Sequence, residues 1–208
     1  MASIGRLRFA SSSMYWERRY KHGGTSGAGS TGRLAAFKAE ILNGFVAEQG
    51  ISTVLEFGCG DGQQLGLARY PDYTGVDVAQ SVVAACRARF AQDPTKRFTT
   101  LEAYDGRSAA LTLSLDVIYH LVEDAVFEAH MAQLFDAAER FVIIYASDYA
   151  EQPVEVHVRH RRFSDWVAAH RPNFRRFAHI PNRYPFDARN PDETSFADFH
   201  VYARMQDG

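Results

Sequence analysis

An apolar run, Val54-Leu55-Glu56-Phe57, leads straight into glycines at positions 58, 60 and 62 in the segment VLEFGCGDGQQL. Glycine enters the left-handed backbone region freely and carries no Cβ. A strand ending in three of them must turn sharply and lie close to something. In an open parallel sheet that place is the crevice beyond the carboxyl ends of the strands, where ligands bind.

The rest of the chain supplies such a sheet. Runs rich in β-formers at residues 53–57, 73–78, 98–101, 111–115 and 140–146 alternate with helical patterns over 62–69, 79–91 and 123–138. Strands alternating with helices predict βαβ units and a parallel sheet with helices on both faces. Before them, Leu34, Phe37, Ile41, Leu42 and Phe45 recur at helical spacing over 33–49, with Ser30 or Thr31 as cap and Gly50 as stop. Residues 163–170 read as a helix, followed by strands at 174–180 and 195–204 with no helix between them. Such strands pair antiparallel, which predicts a mainly parallel sheet of seven strands with one reversed strand near an edge.

At 208 residues, 46% hydrophobic and 23% charged, the chain fits one domain with an ample core. We expect residues 1–32 to form an N-terminal lid or substrate segment and 33–208 a single domain. The N-terminal stretch has no apolar core of a signal peptide, and no window holds the roughly 20 apolar residues that span a bilayer. A cytoplasmic protein without membrane association is expected. Cys59 and Cys86 lack metal-type spacing and are expected to be free thiols. The net charge of -2 is unevenly spread: residues 157–177 hold six arginines and one acid, whereas 99–155 hold eleven acids and two bases.

The acid Asp77 ends the second strand nineteen residues after Gly58, where a carboxylate can bind both ribose hydroxyls of an adenosine-type cofactor. A dinucleotide fingerprint, G-x-G-x-x-G, does not fit, because the third glycine comes one residue early and position 63 is Gln63. Glu56, at the end of the first strand, suits a ligand with a positive amino group better than a pyrophosphate.

An acid followed by x-G-x-G-x-G, here EFGCGDG, and a second acid ending the next strand, here Asp77, resemble the class I S-adenosylmethionine-dependent methyltransferases over roughly residues 33–147. The resemblance implies a Rossmann-like fold, S-adenosylmethionine as cofactor and S-adenosylhomocysteine as product. It places Glu56, Gly58, Cys59 and Gly60 on the methionine and ribose side, Asp77 with Val78 at the ribose, and Tyr104 and Asp105 of EAYDG at the adenine. Asp116, ending the fourth strand in LSLDVIYHL, falls beside the amino acid part of the cofactor and the reacting methyl. Just past it, His120 and Tyr119 are the candidate catalytic residues, His120 as base for a hydroxyl or amine.

Two segments outside this core are candidates for the acceptor. In YWERRYKHGGTSGAGSTG, Tyr15 and Trp16 suit a cover over the ligand, while Arg18, Arg19 and a run of glycine amides suit an anion. No Lys-Ser or Lys-Thr follows those glycines, so the segment is not a P-loop. In HVRHRRF, His157, Arg159, His160 and Arg161 are placed to hold a phosphate or carboxylate. No third ligand accompanies His157 and His160, so no metal is expected. We therefore expect O-methylation of a small anionic acceptor. RNA methylation, a nicotinamide-dependent oxidoreductase and a cofactor-binding protein without catalysis are the alternatives. The balance of charge and lack of a basic stripe disfavour nucleic acid.

Overall fold

The computed structural model describes residues 11–150 and 157–205. Seven strands form one sheet: β1 (Val54–Phe57), β2 (Tyr73–Asp77), β3 (Lys96–Thr100), β4 (Ala109–Leu115), β5 (Ala138–Ala146), β6 (Phe174–Ile180) and β7 (Asp198–Arg204). Their order is β3-β2-β1-β4-β5-β7-β6. β1 to β5 run parallel, and β7 is antiparallel to both neighbours, in agreement with the expected single reversed strand. Order reverses between β1 and β4, so their carboxyl ends diverge and open the crevice that holds the site.

Five α-helices accompany the sheet among the described residues: α1 (Ser12–Lys21), α2 (Gly32–Glu48), α3 (Gln80–Arg89), α4 (Asp124–Asp136) and α5 (Phe163–His170). On one face Phe37, Leu42 and Val46 of α2 and Val83 and Cys86 of α3 pack on Tyr73, Leu111, Ile143 and Phe199. On the other, Phe127, Met131 and Phe135 of α4 and Phe163 and Val167 of α5 pack on Leu55, Phe57, Val142 and Ile144. β2 and β4 are buried along their full length because both faces are covered. Truncating a fully buried member such as Leu42 to alanine removes roughly 2–5 kcal/mol. Cys59 and Cys86 are both buried and unbridged. Among the described residues no helix is long and apolar enough to cross a membrane.

Two elements differ from expectation. The helix predicted over 62–69 shrinks to a 3-10 turn, Gln64–Leu67. Gly62 has a positive φ, the Asp61 carboxylate takes the Gln63 backbone amide, and Pro71 disfavours helix just beyond. Conversely, α1 falls in the segment read as cover: Ser11 caps it by accepting a hydrogen bond from the Met14 amide at 3.2 Å.

Candidate active site

Gly58, Gly60 and Gly62 have φ of 84°, 57° and 72°, a turn that residues with a Cβ adopt only under strain. Their missing side chains also admit protein: a Cβ at Gly58 would stand 2.5 Å from Val117, one at Gly60 2.3 Å from Ser26 Oγ, one at Gly62 2.8 Å from Phe90. Asp77 is buried at the end of β2, where its Oδ2 accepts from the Gly60 amide at 3.0 Å and its Oδ1 from the Ala79 amide at 2.9 Å. Each oxygen keeps a lone pair for a further donor. Glu56 is buried beside it, accepting from the Tyr73 hydroxyl at 2.6 Å. Burial pushes its carboxyl up to about 7.

The opposite wall follows β4. Asp116 has φ 59°, the one positive φ at a non-glycine position among the described residues, and such strain concentrates at functional sites. Its Oδ2 lies 2.5 Å from the Lys38 ammonium, and its Oδ1 accepts from the Tyr119 hydroxyl at 2.8 Å. Lys38 comes from α2 and is 1% exposed. Burial and the Asp116 carboxylate push the Tyr119 hydroxyl well above its usual range, so Tyr119 donates and does not act as a base. Next to it, His120 Nδ1 contacts the His157 carbonyl at 3.1 Å. A carbonyl can only accept, so this contact assigns the proton to Nδ1 and leaves Nε2 a bare acceptor. Burial lowers His120 to about 4 and keeps it neutral.

α1 and the following loop close over both walls. Ser12 donates from its amide and hydroxyl to Glu123, and Glu17 accepts from Ser81 at the start of α3. Trp16 meets the His120 ring edge-on at 4.9 Å; Tyr15 stacks on His157 at 4.8 Å, and His157 in turn stacks on His120 at 5.7 Å. The glycine-serine loop is docked: Ser26 and Asp61 exchange two hydrogen bonds, and the amides of Gly24, Ser30 and Thr31 pair with backbone carbonyls. In the run of amides expected to meet an anion, those of Gly23, Gly24, Ser26 and Gly27 are thus engaged internally.

These elements enclose a cleft with about 160 Å³ of room for water-sized molecules. It brings together Glu56, Gly58, Cys59, Gly60, Asp77, Val78, Asp116, His120 and Trp16 as expected. It adds Lys38, Ser26, Glu123, His130 and an apolar wall that includes Leu101, Leu121 and Val126. Val78, Leu101 and Val126 are 44%, 36% and 42% exposed, an unusual concentration of open apolar surface in one crevice.

Several expected members lie elsewhere. Asp105 is exposed and pairs with Arg107, which holds its carboxyl down at about 2, away from this cleft. Tyr104 packs edge-on against Phe57 and donates to the Arg107 carbonyl. Tyr119 sits behind Asp116 and outside the lining. Arg159 and Arg161 donate to the Leu121 and Val122 carbonyls and pair with Asp124, stapling 157–161 to the turn after β4. Arg19 donates to the Thr25 carbonyl, and Arg18 is exposed on the outer side of the lining. His160 is buried against Ser147, at 2.6 Å. None of the four arginines lines the cleft, so the observation that favoured an anionic acceptor does not hold in the fold.

No family model matches the chain. It is 29% identical over 196 residues to mouse EEF1A lysine methyltransferase 4, covering 90% of this chain and 72% of that protein. Among solved structures, N-methyltransferase NodS from Bradyrhizobium japonicum with S-adenosylhomocysteine aligns with a TM-score of 0.65 at 13% identity, over 94% of this chain and 100% of that one. Magnesium protoporphyrin IX methyltransferase from Synechocystis aligns at 0.64 and 15%, over 94% and 96%. At those identities the structural likeness establishes the fold. With the mouse relative spanning most of the sequence and the sheet order, glycine turn and Asp77 in place, the chain belongs to the class I S-adenosylmethionine-dependent methyltransferase superfamily.

Proposed function

We propose that this protein transfers a methyl group from S-adenosylmethionine to an amine nitrogen. The observation that carries the reading is the make-up of the cleft, where Glu56, Asp77, Asp116 and Glu123 face a single cation, Lys38, beside the neutral ring of His120. Such a lining favours a cationic ligand and an uncharged nucleophile and disfavours an anion. The relatives agree in kind: the mouse protein is named for lysine methylation and NodS as an N-methyltransferase.

The residues present fit the cofactor. Asp77, fixed by two amides, would accept from ribose hydroxyls; Val78, Leu101 and Val126 would cover an adenine; Glu56 would face the amino group. When bound, the cofactor supplies a methyl on a positively charged sulfonium, whose departure leaves a neutral thioether. His120, Trp16 and α1 do the rest, by aligning the nucleophile and excluding water. His120 Nε2 accepts the N–H of a neutral amine and so aims its lone pair. Because His120 is lowered to about 4, it orients and passes on the proton without retaining it.

The test is calorimetry with S-adenosylhomocysteine and NAD, followed by transfer of labelled methyl to amine, hydroxyl and carboxylate acceptors. Binding of the first ligand alone, abolished by Asp77→Ala, and labelling of amines are expected. Labelling confined to carboxylates or phosphates would overturn the amine assignment, and heat from NAD alone would overturn the cofactor.

A further inference from the structure

Among the described residues, one group of three metal-capable side chains comes together: His179 of β6 with Asp198 and His200 of β7. A ring nitrogen of each histidine and a carboxylate oxygen all lie within 4.8 Å of one another. None of the three lines the cleft described above. Asp198 and His200, two apart on one strand, stand on the same face of the sheet. His179 reaches that face through a bulge: the register shifts between Arg176 and Ala178, so that Ala178 opposes Val201 and His179 opposes His200. Without the extra residue Ala178 would oppose His200, and His179 would turn to the other face. The two rings stack at 4.7 Å. His179 Nε2 donates to Asp198 Oδ2 at 2.9 Å, and the Asn182 amide fixes Asp198 Oδ1 at 2.8 Å. His200 is 5% exposed, yet its buried Nδ1 makes no hydrogen bond among the described residues. A polar ring held in the interior without a partner is costly, and a ligand would offset that cost.

We propose that His179, Asp198 and His200 form a site for a divalent transition metal of the zinc class. Two imidazole nitrogens and one carboxylate are a zinc donor set, with the fourth tetrahedral position left to water, whereas magnesium and calcium require oxygen ligands. The ion displaces the proton that His179 Nε2 donates to Asp198, while the Asn182 amide keeps the carboxylate oriented through its other oxygen. The side chains of His179 and Asp198 are partly exposed, which gives the ion a path inward. β6 is the edge strand, so the ion clips it to β7 just past the bulge. The site is independent of the cofactor reading. A plain His179–Asp198 pair beside a core histidine would show no affinity for zinc.

The test is calorimetry of the full, untagged chain with zinc chloride and, separately, magnesium chloride, alongside melting curves. Wild type should bind one zinc per chain, ignore magnesium and melt at a higher temperature with zinc present. His179→Ala changes a side chain exposed on the edge strand, and Asp198→Asn keeps an oxygen for the Asn182 amide. Each should weaken zinc binding by at least about tenfold and lose the rise in melting temperature. His170→Ala, which removes an exposed histidine from α5, should leave zinc binding as in wild type. If one of the two site variants melts early without metal, the other decides. No zinc binding by wild type, or equal affinity in wild type and the folded site variant, would overturn the proposal. So would a loss of binding in His170→Ala that the site variants do not share.

Discussion

Ser26 and Asp61 are bound to each other twice: the Ser26 amide donates to Asp61 Oδ2 at 2.9 Å, and the Asp61 amide donates to Ser26 Oγ at 3.0 Å. The Tyr20 hydroxyl lies 3.1 Å from the same Ser26 oxygen. This junction joins the segment before α2 to the glycine turn, and it fills the space where Gly60 lacks a Cβ. Ser26→Ala leaves the Asp61 amide unpaired and should cost about 1–2 kcal/mol in urea denaturation. Gly60→Ala should cost more, since it adds left-handed strain of roughly 1–2 kcal/mol to a clash with Ser26 Oγ. Gly23→Ala, with φ 76° and no atom within 4 Å of its Cβ, isolates the strain. If the clash matters, Ser26→Ala relieves part of it and the double variant is less than additive. Strict additivity would show that Ser26 does not press on Gly60.

Most of the sheet was legible because buried parallel strands read as short apolar runs bounded by glycine and polar turns. The turn and Asp77 were legible for a related reason: both need residue types fixed by backbone geometry. Lys38 left a signal that charge type concealed. It lies four residues after Leu34 and four before Leu42, within the apolar stripe of α2, where a cation needs a buried partner. Asp105 misled because Tyr-Asp-Gly is also a plain turn, and here Arg107 two residues later takes the carboxylate. The arginines of 157–161 misled because sequence cannot show that the carbonyls of residues 121 and 122 already occupy their donors.

Acid should weaken the fold through groups held neutral by burial. His120, His130 and His200 are each lowered from 6.5 to about 4. Between those values the unfolded chain binds protons that the folded chain refuses, so stability intact above 6.5 is lost as pH falls toward 4. Glu56 has the opposite sign: raised from 4.5 to about 7, it stabilises the fold fully below 4.5, and that contribution disappears as pH rises through 7. Three groups outweigh one, and the net loss from pH 6.5 to 4.5 should be on the order of 1–2 kcal/mol per pH unit. Glu56→Gln removes the opposing proton uptake, so its denaturation midpoints should fall more steeply with acid than those of wild type. Parallel pH profiles for the two proteins would contradict the raised carboxyl. If Glu56 faces the cofactor's ammonium, S-adenosylhomocysteine should bind wild type more tightly as pH rises toward 7, while Glu56→Gln stays flat.

Arg161 decides whether the basic segment after β5 builds the site or meets the acceptor. Its guanidinium donates to the Leu121 carbonyl at 2.6 Å and the Val122 carbonyl at 2.8 Å, and it lies over the Phe127 ring at 4.6 Å. Partial burial lowers its pKa, as expected of a guanidinium packed into structure. Arg161→Ala leaves the Leu121 carbonyl without a donor and the Val122 carbonyl with Arg159 alone, beside the turn that carries His120, and should cost about 1–3 kcal/mol. Arg161→Lys should recover only part of this, because one ammonium cannot match the planar fork. Neither change touches the cofactor-facing wall, so affinity for S-adenosylhomocysteine should stay within about threefold of wild type in the folded fraction. With a labelled acceptor in hand, kcat should fall as His120 loses its support, while KM changes little. A KM raised at least tenfold, with melting temperature and kcat preserved, would return Arg161 to direct acceptor binding and revive an anionic substrate.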